Sequence, residues 1–148
     1  MNTITLDTRE WERLNRNILE LAQETMPRET KKFMRREGGR LATVTRKLAR
    51  ATFKKKTGNY FKSIKSSRAW RNSRGGYGVY ALASHKIAPH AHLLEYGHKL
   101  VAWGRKTDRK TTDFRTFEKA SKGFENAFIS DTEVFIEKVV ESGFKRGR

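Results

Sequence analysis

Between residues 90 and 100 the chain reads "HAHLLEYGHKL", placing three histidines, a glutamate and a tyrosine within eleven positions. Two chemistries use such residues. A zinc site on a helix wants ligands three or four apart with a carboxylate among them, and His92–Glu95 and Glu95–His98 each stand three apart. An acid–base site wants an imidazole oriented by a carboxylate, and His90, His92 or His98 could partner Glu95. Neither pattern is complete. No HExxH sequence occurs, His90 and His92 point apart if the segment is helical, and Gly97 would end a helix before His98. A two-metal nuclease also needs several carboxylates, whereas Glu95 is the only acid between residues 38 and 107. The simpler reading is a packed elbow. In it Ala91, Leu93, Leu94 and Tyr96 bury one side, Glu95 pairs with a nearby cation, and Gly97 turns the chain. The absence of cysteine removes thiolate ligands, disulfides and a cysteine nucleophile. No metal, cofactor or catalytic residue is expected.

The elbow sits beside a strongly basic segment. From Arg28 to Arg74 there are seventeen Lys and Arg against Glu29 and Glu37, so this third of the chain carries +15 of the formal +17. Such a field attracts polyanions, nucleic acid first among them. No apolar run approaches the ~20 residues of a membrane span. The opening "MNTITLDTREWERL" lacks a signal-peptide core, so synthesis in the cytoplasm and no membrane partner are expected.

The periodicities predict the elements that hold these residues. Trp11, Leu14, Ile18 and Leu21 line one face of a helix over 8–25, with Asp7 or Thr8 as its cap. Pro27 marks a break before a second, basic helix over 28–53 with a thin stripe of Met34, Leu41, Val44 and Leu48, weakened at Gly38-Gly39. Gly58 ends that region. "YFKSIKSSRAW" and "YGVYALAS" read as strands of a hairpin around the turn "NSRGGYG". "APHAHLLEYG" reads as a short helix opening after Pro89, and "HKLVAW" as a third strand. "GRKTDRKTTD" reads as an exposed basic loop. Ser130 to Glu133 matches a capping box ahead of a final helix. The expected fold is therefore α+β: a small antiparallel sheet of three to four strands, with long N-terminal helices and a C-terminal helix packed on it. One domain is expected, with segments at 1–27, 28–56, 57–103, 104–116 and 117–142, and a frayed tail at 143–148.

Two stretches also carry a resemblance. "APHAHLLEYG" resembles a motif of the head–tail joining, or tail-completion (neck), proteins of long-tailed phages, matched here by Ala88, Pro89, His90, Ala91, His92, Leu93, Leu94, Glu95, Tyr96 and Gly97. "TGNYFKSI" is similar to a second motif of that family, at Thr57, Gly58, Tyr60, Ser63 and Ile64. "FRTFEKASKGFENAF" looks like its closing segment, without the usual proline. The resemblance implies a small antiparallel sheet with long helices, and a structural virion protein of the neck rather than an enzyme. It implies a homo-oligomeric ring, commonly of six subunits, between the head-side connector and the tail tube or its terminator, with double-stranded DNA passing through the lumen.

Lys and Arg contacts to phosphate carry no sequence information and exchange readily, so they suit a ring through which DNA slides. Lys54, Lys55, Lys56, Arg68, Arg71, Arg74, Arg105, Lys106, Arg109 and Lys110 are the candidates for the lumen or for partner subunits. Two other functions fit the same residues: a basic, sequence-independent nucleic-acid-binding protein outside a virion, and a small nuclease built on His92, Glu95 and His98.

Overall fold

The computed structural model describes residues 9–54 and 57–145. Helix α1 covers Arg9–Glu20, a π-helical turn covers Leu21–Thr25, and α2 runs from Met26 to Thr52. Then come α3 (Asn59–Ser63), β1 (Ile64–Ser66), β2 (Trp70–Arg71), β3 (Tyr77–Gly78), β4 (Ala81–Ala83), α4 (Ala91–Tyr96), β5 (Lys99–Ala102), β6 (Arg105–Lys110) and α5 (Thr116–Lys145). The class is α+β with antiparallel strands, as expected. The strands do not form one sheet of three to four, however. They make three two-stranded ladders, β1 with β4, β2 with β3, and β5 with β6. Contacts gather into two compact units, one of the described residues through Phe33 and from Ile129 onward, the other Met34–Phe128. No helix among the described residues is long and apolar enough to cross a membrane.

In the first unit, Pro27 does not break the helix. Its ring and missing N–H disturb the turn before it, and the backbone widens there instead: the Met26 N–H reaches back to the Leu21 carbonyl, five residues away. Proline is thus absorbed by a π turn. Gly143 of α5 comes so close to Leu21 that a Cβ would lie 2.8 Å from Cδ1. Phe33 and Phe135 stack with centroids 4.5 Å apart. The expected start of the last helix at Ser130 is overturned, because α5 is continuous from Thr116. The expected caps Asp7 and Thr8 and the tail beyond Lys145 lie outside the described residues.

In the second unit, α2 buries a face of small residues. Gly38, Ala42, Thr45 and Ala49 are buried, while the expected stripe of Met34, Leu41, Val44 and Leu48 is only half-buried. Small side chains let the backbone approach the ribbon: a Cβ on Gly38 would meet Val79 Cγ2 at 2.4 Å and Ser66 Oγ at 2.7 Å. The glycine therefore neither kinks nor breaks α2. Thr45 satisfies its hydroxyl on the Leu41 carbonyl at 2.8 Å, and Arg46 spans 3.0 Å to the Ile64 carbonyl. Around this face Tyr60, Phe61, Ile64 and Ala91 complete a core flanked by Phe53, Ala81, Ala83, Leu94 and Phe117.

The expected hairpin exists, but "NYFKS" is helical and only "IKS" of that stretch pairs as β1. The hairpin is split into two ladders where Ser67 Oγ takes the Tyr80 N–H at 3.0 Å. Its far end closes around Asn72, whose side-chain oxygen accepts the Arg74 and Gly76 N–H groups at 3.1 and 2.8 Å. The segment expected as a basic loop is instead strand β6, and it pairs with β5 through Ala102–Arg105 around a two-residue turn, Trp103-Gly104.

Candidate functional site

The two motif stretches meet inside the protein. The Tyr60 hydroxyl, from α3, donates to Glu95 Oε1, from α4. The other carboxylate oxygen accepts the Phe117 N–H at 3.2 Å, and the Glu95 carbonyl accepts the Arg115 N–H at 3.1 Å. Phe117 lies in the first turn of α5, where backbone N–H groups have no partner within the helix and the dipole favours negative charge. Glu95 therefore caps α5 from another element. Its partners are a phenol and a helix terminus, not the cation expected from the sequence.

Both side chains are shielded, Tyr60 at 9% and Glu95 at 6% exposure. Burial first, then the hydrogen bond and charge of Glu95, push the Tyr60 phenol well above its ordinary value of 10.0. The buried Thr116 hydroxyl stands beside this pair but completes no hydrogen bond of good geometry. Arg115, with φ +47°, sits at the helix entrance. Its guanidinium hydrogen-bonds the exposed Asp113 carboxylate and holds it below its ordinary range.

The other motif residues serve the same joint. Gly58, at φ +77°, opens α3 in a left-handed conformation that glycine adopts without strain. Thr57 Oγ1 accepts the Asn59 N–H at 3.4 Å. Ser63 is fully buried, donates to the Tyr60 carbonyl at 2.6 Å, and its own carbonyl takes the Ser84 N–H at 2.8 Å. Ile64 is 1% exposed and pairs with Ala83. Ala91 is buried, and the exposed Pro89 supplies a carbonyl to α4. Gly97, at φ +65°, passes so near β6 that a Cβ would meet the Thr111 carbonyl oxygen at 2.5 Å. Tyr96 departs from expectation, since it is 68% exposed and buries no side of the elbow.

The histidines do not converge on Glu95. His92 Nδ1 lies 3.1 Å from the Pro89 carbonyl, and His98 Nδ1 lies 3.1 Å from Thr111 Oγ1. His90, His92 and His98 are all exposed, whereas the Glu95 carboxylate is turned inward. Among the described residues no group of three or more His, Cys, Asp or Glu is placed to hold a metal ion. A cleft of about 320 Å³ beside the elbow is lined by four alanines together with His85, His92, Glu95, Tyr96 and Phe117, among others.

The candidate cations point outward. Lys54, Arg68, Arg71, Arg74, Arg105, Lys106, Arg109 and Lys110 are exposed, and none makes an ion pair with a described carboxylate. Lys55 and Lys56 lie outside the described residues. Arg68, Arg71 and Arg74 cluster on and beyond the first ribbon; Arg105, Lys106, Arg109 and Lys110 share the second, with β6. The unit Met34–Phe128 holds twenty-three Lys and Arg against six acids, so all of the formal +17 resides in it.

Two features escaped the sequence reading. Glu37 is buried at 1% exposure between Arg36 and Arg40, each 2.8 Å away, and Arg40 lies over the Phe124 ring. Trp103 stands at the tip of the β5–β6 ribbon, wholly exposed and at φ +52°. No family model, no curated protein and no solved structure matches the chain.

Proposed function

We propose that this protein is a structural component of a phage neck: a ring, of six subunits in the form the motif resemblance implies, that joins the head-side connector to the tail tube and lets double-stranded DNA pass through its lumen. The observation that carries the reading is the buried Tyr60–Glu95–Phe117 joint. The residues that make the two stretches resemble neck proteins are spent on architecture, which is what a non-catalytic assembly protein requires of its signature residues. Surplus charge on exposed ribbons supplies the second half of the reading, a surface that holds phosphate without reading sequence.

The same charge favours one alternative, a sequence-independent nucleic-acid-binding protein acting outside a virion. The nuclease alternative has less support, because its proposed carboxylate already serves a phenol and a helix N-terminus.

The test is electron microscopy of a lysate from a phage with an early stop codon in this gene. Filled heads and finished tails lying unjoined are expected. Normally joined particles would overturn the neck reading and transfer the charge to the nucleic-acid-binding alternative.

A further inference from the structure

The β5–β6 ribbon ends in a residue of the wrong type for its position. Both turn residues have positive φ, +52° at Trp103 and +75° at Gly104. Such type I′ turns are the province of Asn, Asp and Gly, and a bulky side chain there is strained. Trp103 is also fully solvent-exposed, so it returns no packing energy within its own chain. An observed outlier of this kind points to function. Along the same arm Leu100 and Val101 are 40% and 63% exposed. Five cations, Lys99, Arg105, Lys106, Arg109 and Lys110, surround them against one acid, Asp108.

Helix α1 is the complementary surface. Its apolar stripe is the most regular in the chain, yet none of its residues is buried. Trp11, Ile18 and Leu19 are 65%, 44% and 56% exposed. Glu10 and Glu12 flank Trp11 on its two sides, while Arg9, Arg13, Arg16 and Glu20 lie toward the opposite side of the helix.

We propose that the Trp103 ribbon docks on the α1 face of a second copy of this chain, Trp103 packing among Trp11, Ile18 and Leu19 while the ribbon cations meet the α1 carboxylates. Two different patches are involved, so the contact is heterologous. Each copy offers one patch to each of two neighbours, which generates a ring or an open filament. The inference deepens the ring reading and rests on it only for closure. It also divides the candidate cations, giving Arg105, Lys106, Arg109 and Lys110 to a neighbouring subunit and leaving Arg68, Arg71 and Arg74 for phosphate. A nucleic-acid role for the Trp103 arm is disfavoured, because an apolar wedge between base steps would grip a duplex that has to slide.

The test is sedimentation velocity of the full chain over a concentration series up to millimolar, at low and high salt. The wild type should self-associate, less so at high salt. Trp103→Asn relieves the turn strain, so it should melt no lower than wild type while associating at least tenfold more weakly, as loss of an aromatic anchor implies. The double variant Trp11→Ser/Ile18→Ser, altered only at exposed positions, should weaken association similarly. An equimolar mixture of the two variants retains one intact pair of surfaces and should form dimers that grow no further.

Unchanged association of Trp103→Asn, or a mixture that stays monomeric, would overturn the contact while leaving the ring to the particle micrographs. A wild type monomeric throughout would also overturn it. Loss of duplex affinity in Trp103→Asn without loss of self-association would reassign the arm to DNA.

Discussion

Tyr60→Phe removes one oxygen and nothing else, so it isolates the link between the two motif stretches. In the wild type the phenol donates to a carboxylate that is 6% exposed, from a ring that is 9% exposed. A hydrogen bond to a charged group is worth ~1.5–3 kcal/mol, and losing the donor leaves the buried Glu95 Oε1 without its partner. The expected loss is about 2 kcal/mol, which for a chain of this length lowers the melting temperature by about 4–8 °C. Glu95→Gln keeps the shape but removes the charge facing the α5 N-terminus, for a loss of about 1 kcal/mol or more. Because the two substitutions break one interaction, the double variant should fall short of their sum by about 1 kcal/mol. Urea denaturation followed by circular dichroism measures the cycle. Hydrogen exchange of the Phe117 amide reads the joint locally, and should accelerate in both variants. The phenol adds a pH signature. Its folded pKa lies above the unfolded value of 10.0, so its contribution is whole below pH 10. It is lost as pH rises beyond that, since the unfolded chain then gives up a proton that the folded chain retains. Wild type and Tyr60→Phe should therefore converge in stability above pH 10. Additive variants, an unchanged Phe117 amide and parallel pH curves would together refute the joint.

Gly38→Ala should destabilise by ~1–3 kcal/mol despite alanine's better helix propensity, since its Cβ would sit 2.4 Å from Val79 Cγ2; thermal melts check this, and Val79→Ala should restore part of the loss. Replacing Arg68, Arg71 and Arg74 with Ala should reduce the slope of log K against log salt for a duplex of arbitrary sequence by about 2.7, and an unchanged slope would remove this ribbon from the phosphate contacts. His92→Ala, at an exposed position, should leave melting temperature and assembly unchanged. Supercoiled plasmid should stay intact with the wild type and Mg²⁺, and nicking that disappears in His92→Ala would revive the nuclease alternative.

Much of this architecture was legible because local rules governed it. The turn at Asn72–Gly76, the short helix after Pro89 and the strand beginning at Lys99 follow from residues whose own backbone preferences decide the outcome. The start of α5 was illegible for the opposite reason. Arg115, just before the helix, is not a capping residue type, the Thr116 hydroxyl caps nothing, and the cap comes from Glu95, distant in sequence, whereas Ser130–Glu133 carries a capping pattern inside an unbroken helix. The buried face of α2 was missed because a hydrophobic reading weighs large side chains. Gly38, Ala42, Thr45 and Ala49 are buried for their small size, which brings the helix backbone against the ribbon. The β6 strand was hidden by its composition, since Arg105 to Lys110 contains no strongly β-forming apolar residue and is held in register by pairing with β5. The inward turn of Glu95 could have been suspected from Tyr60, the one phenol in the neighbouring motif, but only a contact map pairs them.

The inward and outward chemistries are consequently separable, and that separation is what makes the functional reading testable. Tyr60, Ser63 and Glu95 spend their polar atoms on each other and on backbone, Thr57 accepts the Asn59 N–H, and Gly97 lies close against the Thr111 carbonyl, so altering these residues should move stability and assembly together. The exposed ribbon cations make no ion pair with a described carboxylate, and Trp103 is wholly exposed, so altering those should move binding alone. A nuclease would break this pattern, because its activity would depend on the exposed His92 and His98 together with the inward Glu95 at constant fold. Measuring the melting temperature, duplex affinity and sedimentation of Tyr60→Phe, Trp103→Asn and the Arg68/Arg71/Arg74 variant side by side therefore discriminates more sharply than any one of them. Under the neck reading the first variant loses stability and assembly together, whereas the second loses self-association and the third loses salt-dependent affinity, both at an unchanged melting temperature.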